Sequence, residues 1–186
     1  RAFAHAFLLR RYGYFWDTNS DYGPIIRLEP SALSNNNQGR SSVKESYEKI
    51  FEDLDYAIKY GPEFYSRYRG CATTAKAFKA DLLMNRGAEG DYDEAIRLVD
   101  EVIGSSEFGL EATYGDIFTN GYNSKELMFT RHLKSVPTMM TNVGSLLKLF
   151  GGGTYKPSKL FLEILTPKDK RYAVTLDSMM IGSGTL

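Results

Sequence analysis

The sequence predicts a mainly α-helical chain built from tetratricopeptide-like helical-repeat pairs with long irregular loops. Three observations carry that prediction. Within Cys71 to Ser106, Ala72, Ala75, Phe78, Leu82 and Leu83 recur at intervals of three and four, and so do Ala95, Leu98, Val99, Val102 and Ile103. Each set makes one apolar stripe on a helix. The connection between them, Gly87-Ala88-Glu89-Gly90-Asp91, is short and holds two glycines suited to a left-handed turn, which forces the helices antiparallel and adjacent. A third stripe, Val43, Tyr47, Ile50, Leu54, Ala57 and Ile58, lies between Ser42 and Gly61-Pro62.

Taken in order, residues 2 to 12, AFAHAFLLRRY, are apolar on most faces and predict a buried helix ended by Gly13. His5 within it reads as a satisfied core histidine, since only His132 could join it as a ligand. A loop crowded with aromatic and small polar residues follows from Tyr14 to Pro24, and residues 25 to 39 continue without periodicity. Ser41 or Ser42 can cap the next helix. Its outer face, with Lys44, Glu45, Glu48, Lys49, Glu52, Asp53, Asp55 and Lys59, reads as a solvated surface with charge pairing across turns rather than a catalytic cluster.

Residues 63 to 70 bring Phe64, Tyr65 and Tyr68 close together ahead of the central pair. Cys71 reads as a small hydrophobe on that pair's stripe. Within the pair Ala75 and Ala95 allow close approach, Phe78 fills the gap beside them, and Asp91 caps the second helix with Glu94 at capping-box spacing. That reading of Asp91-Tyr92-Asp93-Glu94 explains the acids better than a metal-bridging motif. Beyond it, residues 108 to 118 predict an irregular segment and Lys125 to Thr130 a short strand. Residues 134 to 156 predict a Gly-rich loop, and Pro157 to Leu165 a last helix with proline at its first turn, followed by an extended segment past Tyr172. A helical portion over 1–133 and a loop-rich portion over 134–186 result.

Composition narrows the function classes. The 186 residues carry 23 basic and 23 acidic side chains, so the net charge is zero and no basic run marks a nucleic-acid footprint. A single cysteine excludes an internal disulfide and a thiolate metal site. No apolar run approaches the roughly 20 residues that cross a bilayer as a helix. The sequence opens in mid-helix at Arg1-Ala2-Phe3, without initiator methionine or signal peptide, which predicts a fragment of a longer chain; the absence of a targeting segment therefore says nothing of the parent's address. Nucleophile, zinc-protease, P-loop and dinucleotide motifs are absent from the sequence, and no cofactor is expected.

An ordered series of residues resembles the SusD/RagB family of nutrient-binding outer-membrane lipoproteins of Bacteroidetes. It runs from Arg1-Ala2-Phe3, Leu8 to Tyr12 and Gly13 through Gly23-Pro24-Ile25-Ile26 to Arg40-Ser41-Ser42-Val43 with Glu45, Tyr47, Ile50, Asp53, Leu54 and Ala57. Gly90-Asp91-Tyr92 with Ala95, then Val102-Ile103, Phe108, Leu110, Tyr114, Ile117-Phe118 and Ser124 to Phe129 continue it, and Pro157-Ser158 ahead of Asp169-Lys170-Arg171 closes it. Asn85-Arg86 departs from the large residues usual before the Gly87 turn. The resemblance implies an incomplete SusD-like domain over 1–186 that is not an enzyme. It implies a protein at the cell outer membrane that binds a glycan or other nutrient and partners a SusC-like TonB-dependent transporter. Membrane attachment would be through a lipid anchor that these residues do not contain.

Sugar binding needs flat aromatic faces for the C–H side of a pyranose and polar groups for its hydroxyls. The 14–22 loop offers Tyr14, Trp16 and Tyr22 beside Asp17, Asn19 and Asp21, with Tyr65, Tyr68 and Arg69 as a secondary group. The competing reading has Phe15 and Trp16 plugging the first helix into the core. Two other functions stay open: a glycosidase with paired carboxylates, which 23 acidic residues make unspecific, and a helical-repeat scaffold that binds protein rather than sugar.

Overall fold

The computed structural model describes residues 1–130 and 158–172. Among the described residues there are six α-helices and one 3-10 turn, and no strand. The helices are α1 (Ala2–Tyr12), α2 (Val43–Tyr60), α3 (Ala72–Arg86), α4 (Asp91–Ile103), α5 (Tyr114–Asn120) and α6 (Lys159–Ile164), with the 3-10 turn at Gly121–Asn123. They fall into two compact units, Arg1–Gly109 and Leu110–Leu186.

In the first unit α1 packs on α2, α2 on α3, and α3 on α4. Leu9, Val43, Tyr47, Ile50, Leu82 and Leu98 are buried at the centre. Each comes from the inward face of its helix, which explains why one pair of stripes needs the neighbouring pair to close its core. Ser42 caps α2 through a reciprocal pair: its hydroxyl accepts from the Glu45 amide at 3.1 Å, and the Glu45 carboxylate accepts from the Ser42 amide at 2.9 Å. Those hydrogen bonds hold the Glu45 carboxyl below its usual range.

The α3–α4 turn differs from the sequence expectation in its chemistry. Gly87 and Gly90 both adopt positive φ, +62° and +80°, a region open to glycine. Gly90 occupies the cap position, and Asp91 is the first residue of α4. Its carboxylate turns back to accept from the Ala88 amide and from the Arg86 guanidinium, both at 2.8 Å. Arg86 lies over the Phe51 ring at 4.7 Å and the Tyr47 ring at 6.0 Å. The departure at Asn85-Arg86 therefore supplies the ion partner of a buried acid.

Other expectations are corrected. Helix α1 buries Ala2, His5, Ala6 and Leu9 but leaves Phe3, Phe7 and Tyr12 exposed, because only one face meets α2. His5 is buried and only half satisfied: it bonds the Arg27 backbone, while its Nδ1 has no hydrogen-bond partner among the described residues. Cys71 is buried as a small hydrophobe, as expected, and is in addition the N-cap of α3, its Sγ accepting from the Thr74 amide at 3.4 Å. Val99 and Ile103 face outward on α4 rather than into the pair. Thr113 is the N-cap of α5, with Asp116 in the reciprocal capping position, where an irregular segment was expected. Lys125 to Thr130 form no strand, since Glu111 and Ser124 take the backbone amides of Lys125 and Glu126. Helix α6 is capped by Ser158; Pro157, His132, the 134–156 loop and the segment past Tyr172 lie outside the described residues.

Three clustered acids of α2, Glu52, Asp53 and Asp55, each have a cationic partner. Asp53 pairs with Arg1, Asp55 with Lys79 at 2.5 Å, and Glu52 with Lys49 at 2.9 Å. No helix among the described residues is long and apolar enough to cross a membrane.

Candidate functional site

The segment between α1 and α2 presents three aromatic rings together. Tyr14 stacks on Trp16 with centroids 5.3 Å apart and planes 19° from parallel. Tyr22 lies against the same Tyr14 ring at 5.3 Å and 40°. Trp16, Tyr14 and Tyr22 are 64%, 50% and 59% exposed. Phe15 takes the inward position instead, packed against the core and edge-on to Trp16 at 5.1 Å. Of the two residues expected to plug the helix end, Phe15 does so and Trp16 does not.

Local backbone chemistry produces this arrangement. The Tyr14 amide donates to the Tyr22 carbonyl at 3.0 Å, closing the loop on itself. Asp17 then organises the tip: its Oδ1 accepts from the Asn19 amide at 3.0 Å and its carbonyl from the Ser20 amide at 3.1 Å. Two of the polar candidates, Asp17 and Asn19, are thus joined at the tip, both exposed. The Ser20 carbonyl accepts from the Val43 amide at 2.9 Å, which ties the loop to the first residue of α2. Gly23 leaves that seam without room for a side chain, because a Cβ would stand 2.5 Å from the Ser41 carbonyl oxygen and 2.7 Å from that of Ser42.

Two residues outside the candidate set also reach the loop. Arg40 donates through Nε to the Gly23 carbonyl at 2.7 Å and through Nη2 to the Tyr12 carbonyl at 2.5 Å, and its guanidinium lies 6.0 Å over the Tyr22 ring. The buried Tyr47 donates its hydroxyl proton to the Phe15 carbonyl at 2.9 Å, and burial pushes its phenol up to about 12. The sequence pattern placed Tyr47 on a core stripe and gave no sign that its polar tip leaves that core.

The secondary group is less organised. Phe64 turns inward to meet Phe108 edge-on at 4.8 Å, with Arg67 over its ring at 5.5 Å. Tyr65, Tyr68 and Arg69 remain exposed on the turn that follows. Among the described residues no group of three or more His, Cys, Asp or Glu side chains is placed to hold a metal ion.

No protein-family model matches the chain. No curated protein matches it either. Solved structures do. A SusD superfamily protein from Bacteroides thetaiotaomicron superposes with a TM-score of 0.62 at 21% identity, over 72% of this chain and 29% of the other. A SusD-like protein from Bacteroides fragilis gives 0.56 at 28% identity, over 73% and 26%. A third, solved with xylogluco-oligosaccharide, gives 0.56 at 24% identity, over 69% and 26%. The fold is therefore SusD-like and helical, and the chain spans less than a third of the length of these neighbours.

Proposed function

We propose that this chain is the oligosaccharide-contacting part of a SusD-like nutrient-binding protein, and that Trp16, Tyr14 and Tyr22 form the stacking surface. The observation that carries this reading is the exposed three-ring cluster on a loop closed by its own backbone hydrogen bonds. Stacked flat rings cover the C–H face of a pyranose, while Asp17 and Asn19 at the tip supply groups for hydroxyls. A solved neighbour with xylogluco-oligosaccharide supports a glycan as the ligand class. The role is binding rather than hydrolysis: Glu52, Asp53 and Asp55, the acids clustered on α2, are each held in an ion pair with a neighbouring cation. In the parent protein the chain would sit at the cell surface on a lipid anchor and hand its ligand to a SusC-like TonB-dependent transporter.

A second reading is favoured by one observation on α4. Tyr92, Ile96, Val99 and Ile103 recur at helical spacing and are all exposed, an apolar stripe of the kind that meets another protein surface. Under that reading the helices are a scaffold for a protein partner, without a sugar site of their own.

Calorimetric titration with xyloglucan oligosaccharides and a wider glycan panel separates the two. Saturable binding that weakens about tenfold in Trp16→Ala, equivalent to roughly 1.4 kcal/mol, is the expected result. Binding that survives Trp16→Ala and Tyr14→Ala unchanged would move the sugar site elsewhere, and absence of binding across the panel would favour the scaffold.

A further inference from the structure

The aromatic cluster is exposed, yet its backbone is held from outside by two side chains that do not belong to it. Arg40 grips both ends of the loop, Tyr12 at the end of α1 and Gly23 before the return to α2, with one guanidinium. Tyr47 holds its middle, because the carbonyl that accepts its hydroxyl proton is that of Phe15, the residue between Tyr14 and Trp16. The Tyr47 ring is itself fixed: it stacks on Phe51 at 5.7 Å, and Arg86, anchored by Asp91, lies over both rings. A buried hydroxyl with one strong acceptor and a planar fork on two carbonyls are rigid attachments.

We infer that Arg40 and Tyr47 are positioning residues that preform the Tyr14–Trp16–Tyr22 surface before ligand arrives. This rests on the reading of that surface as the oligosaccharide site. Neither residue needs to touch ligand; both lower the ordering cost of binding by keeping the loop in its stacked geometry. Tyr47 further links the surface to the α3–α4 turn through Arg86 and Asp91, so the register of the helical core sets the position of Trp16.

The test uses Arg40→Ala and Tyr47→Phe, singly and together, in the full chain. Trp16 is the only tryptophan, so its fluorescence anisotropy, its quenching by acrylamide and the near-ultraviolet circular dichroism of the Tyr14–Trp16 stack report the loop directly. With the helical far-ultraviolet signal retained, anisotropy falls, quenching rises and affinity for xyloglucan oligosaccharide drops about fivefold in each single variant. Wild-type optical signals in both variants overturn the proposal. Changed optical signals with unchanged affinity overturn it as a statement about binding. If the wild-type chain binds no oligosaccharide, the site reading fails on its own, and the optical signals alone decide whether the two residues hold the loop. If Tyr47→Phe does not fold, Arg40→Ala decides, since Arg40 lies on the exposed side.

Discussion

Asp91 shows how one residue sets local stability. Its carboxylate is buried against Arg86 and the Ala88 amide. Burial works against its charge, but the Arg86 and Ala88 hydrogen bonds and the Arg86 charge outweigh it, so its pKa lies below the ordinary 3.8. The stability it contributes is present above that value and is lost as pH falls through the lower folded pKa. His5 acts in the same direction in a higher window. Burial, opposed by the Asp53 charge and reinforced by Arg1, keeps the imidazole below 6.5, so its contribution is lost as pH falls from 6.5 through its folded pKa. Thermal melts across both windows are expected to show two losses, with His5→Gln removing the upper one and Asp91→Asn the lower. At neutral pH Asp91→Asn costs about 3 kcal/mol, the low end for breaking a buried pair because Arg86 keeps some water contact, and urea unfolding reads it. The acid itself was visible in the sequence, but as a helix cap. Capping-box spacing cannot tell a residue that caps forward from one that ties backward to Arg86.

At the scale of elements, the ends of helices carry the predictions. Ser42→Ala removes the cap of α2 and is expected to lower stability by about 1 kcal/mol. Gly87→Ala and Gly90→Ala each force a side chain into left-handed backbone at about 1 kcal/mol or more. Gly87 is the worse of the two, because its Cβ would come within 3.2 Å of the Tyr92 hydroxyl while that of Gly90 meets nothing within 4 Å. Melting of the two alanine variants side by side checks that order. Periodicity made α2, α3 and α4 legible because their apolar positions recur at helical spacing. It failed at α5, which is too short to show a stripe and begins on a capping box hidden among loop residues. It failed also at Lys125 to Thr130, where side chains of Glu111 and Ser124 take the amides that a strand would need.

At the scale of the molecule, α1 to α4 share one core, so a cavity at its centre is felt by all of them. Leu82→Ala is expected to cost about 3–5 kcal/mol and to melt these helices together in a single transition followed by far-ultraviolet circular dichroism. That shared core was readable from stripes alone, since each needed a neighbour to cover it. The functional loop was readable only as composition. Its residue types suggested sugar chemistry, but the stacking of Tyr14 with Trp16 and Tyr22 depends on the loop's backbone geometry, and the roles of Arg40 and Tyr47 in holding it depend on contacts between positions far apart in sequence. The central claim is that this loop meets oligosaccharide, and titration of Trp16 fluorescence with xyloglucan oligosaccharides tests it most directly. A saturable shift in Trp16 emission, abolished when Tyr14 and Tyr22 are both replaced by alanine, is the predicted result. Retention of the chain on a glycan column with no change in Trp16 emission at saturating oligosaccharide would contradict it.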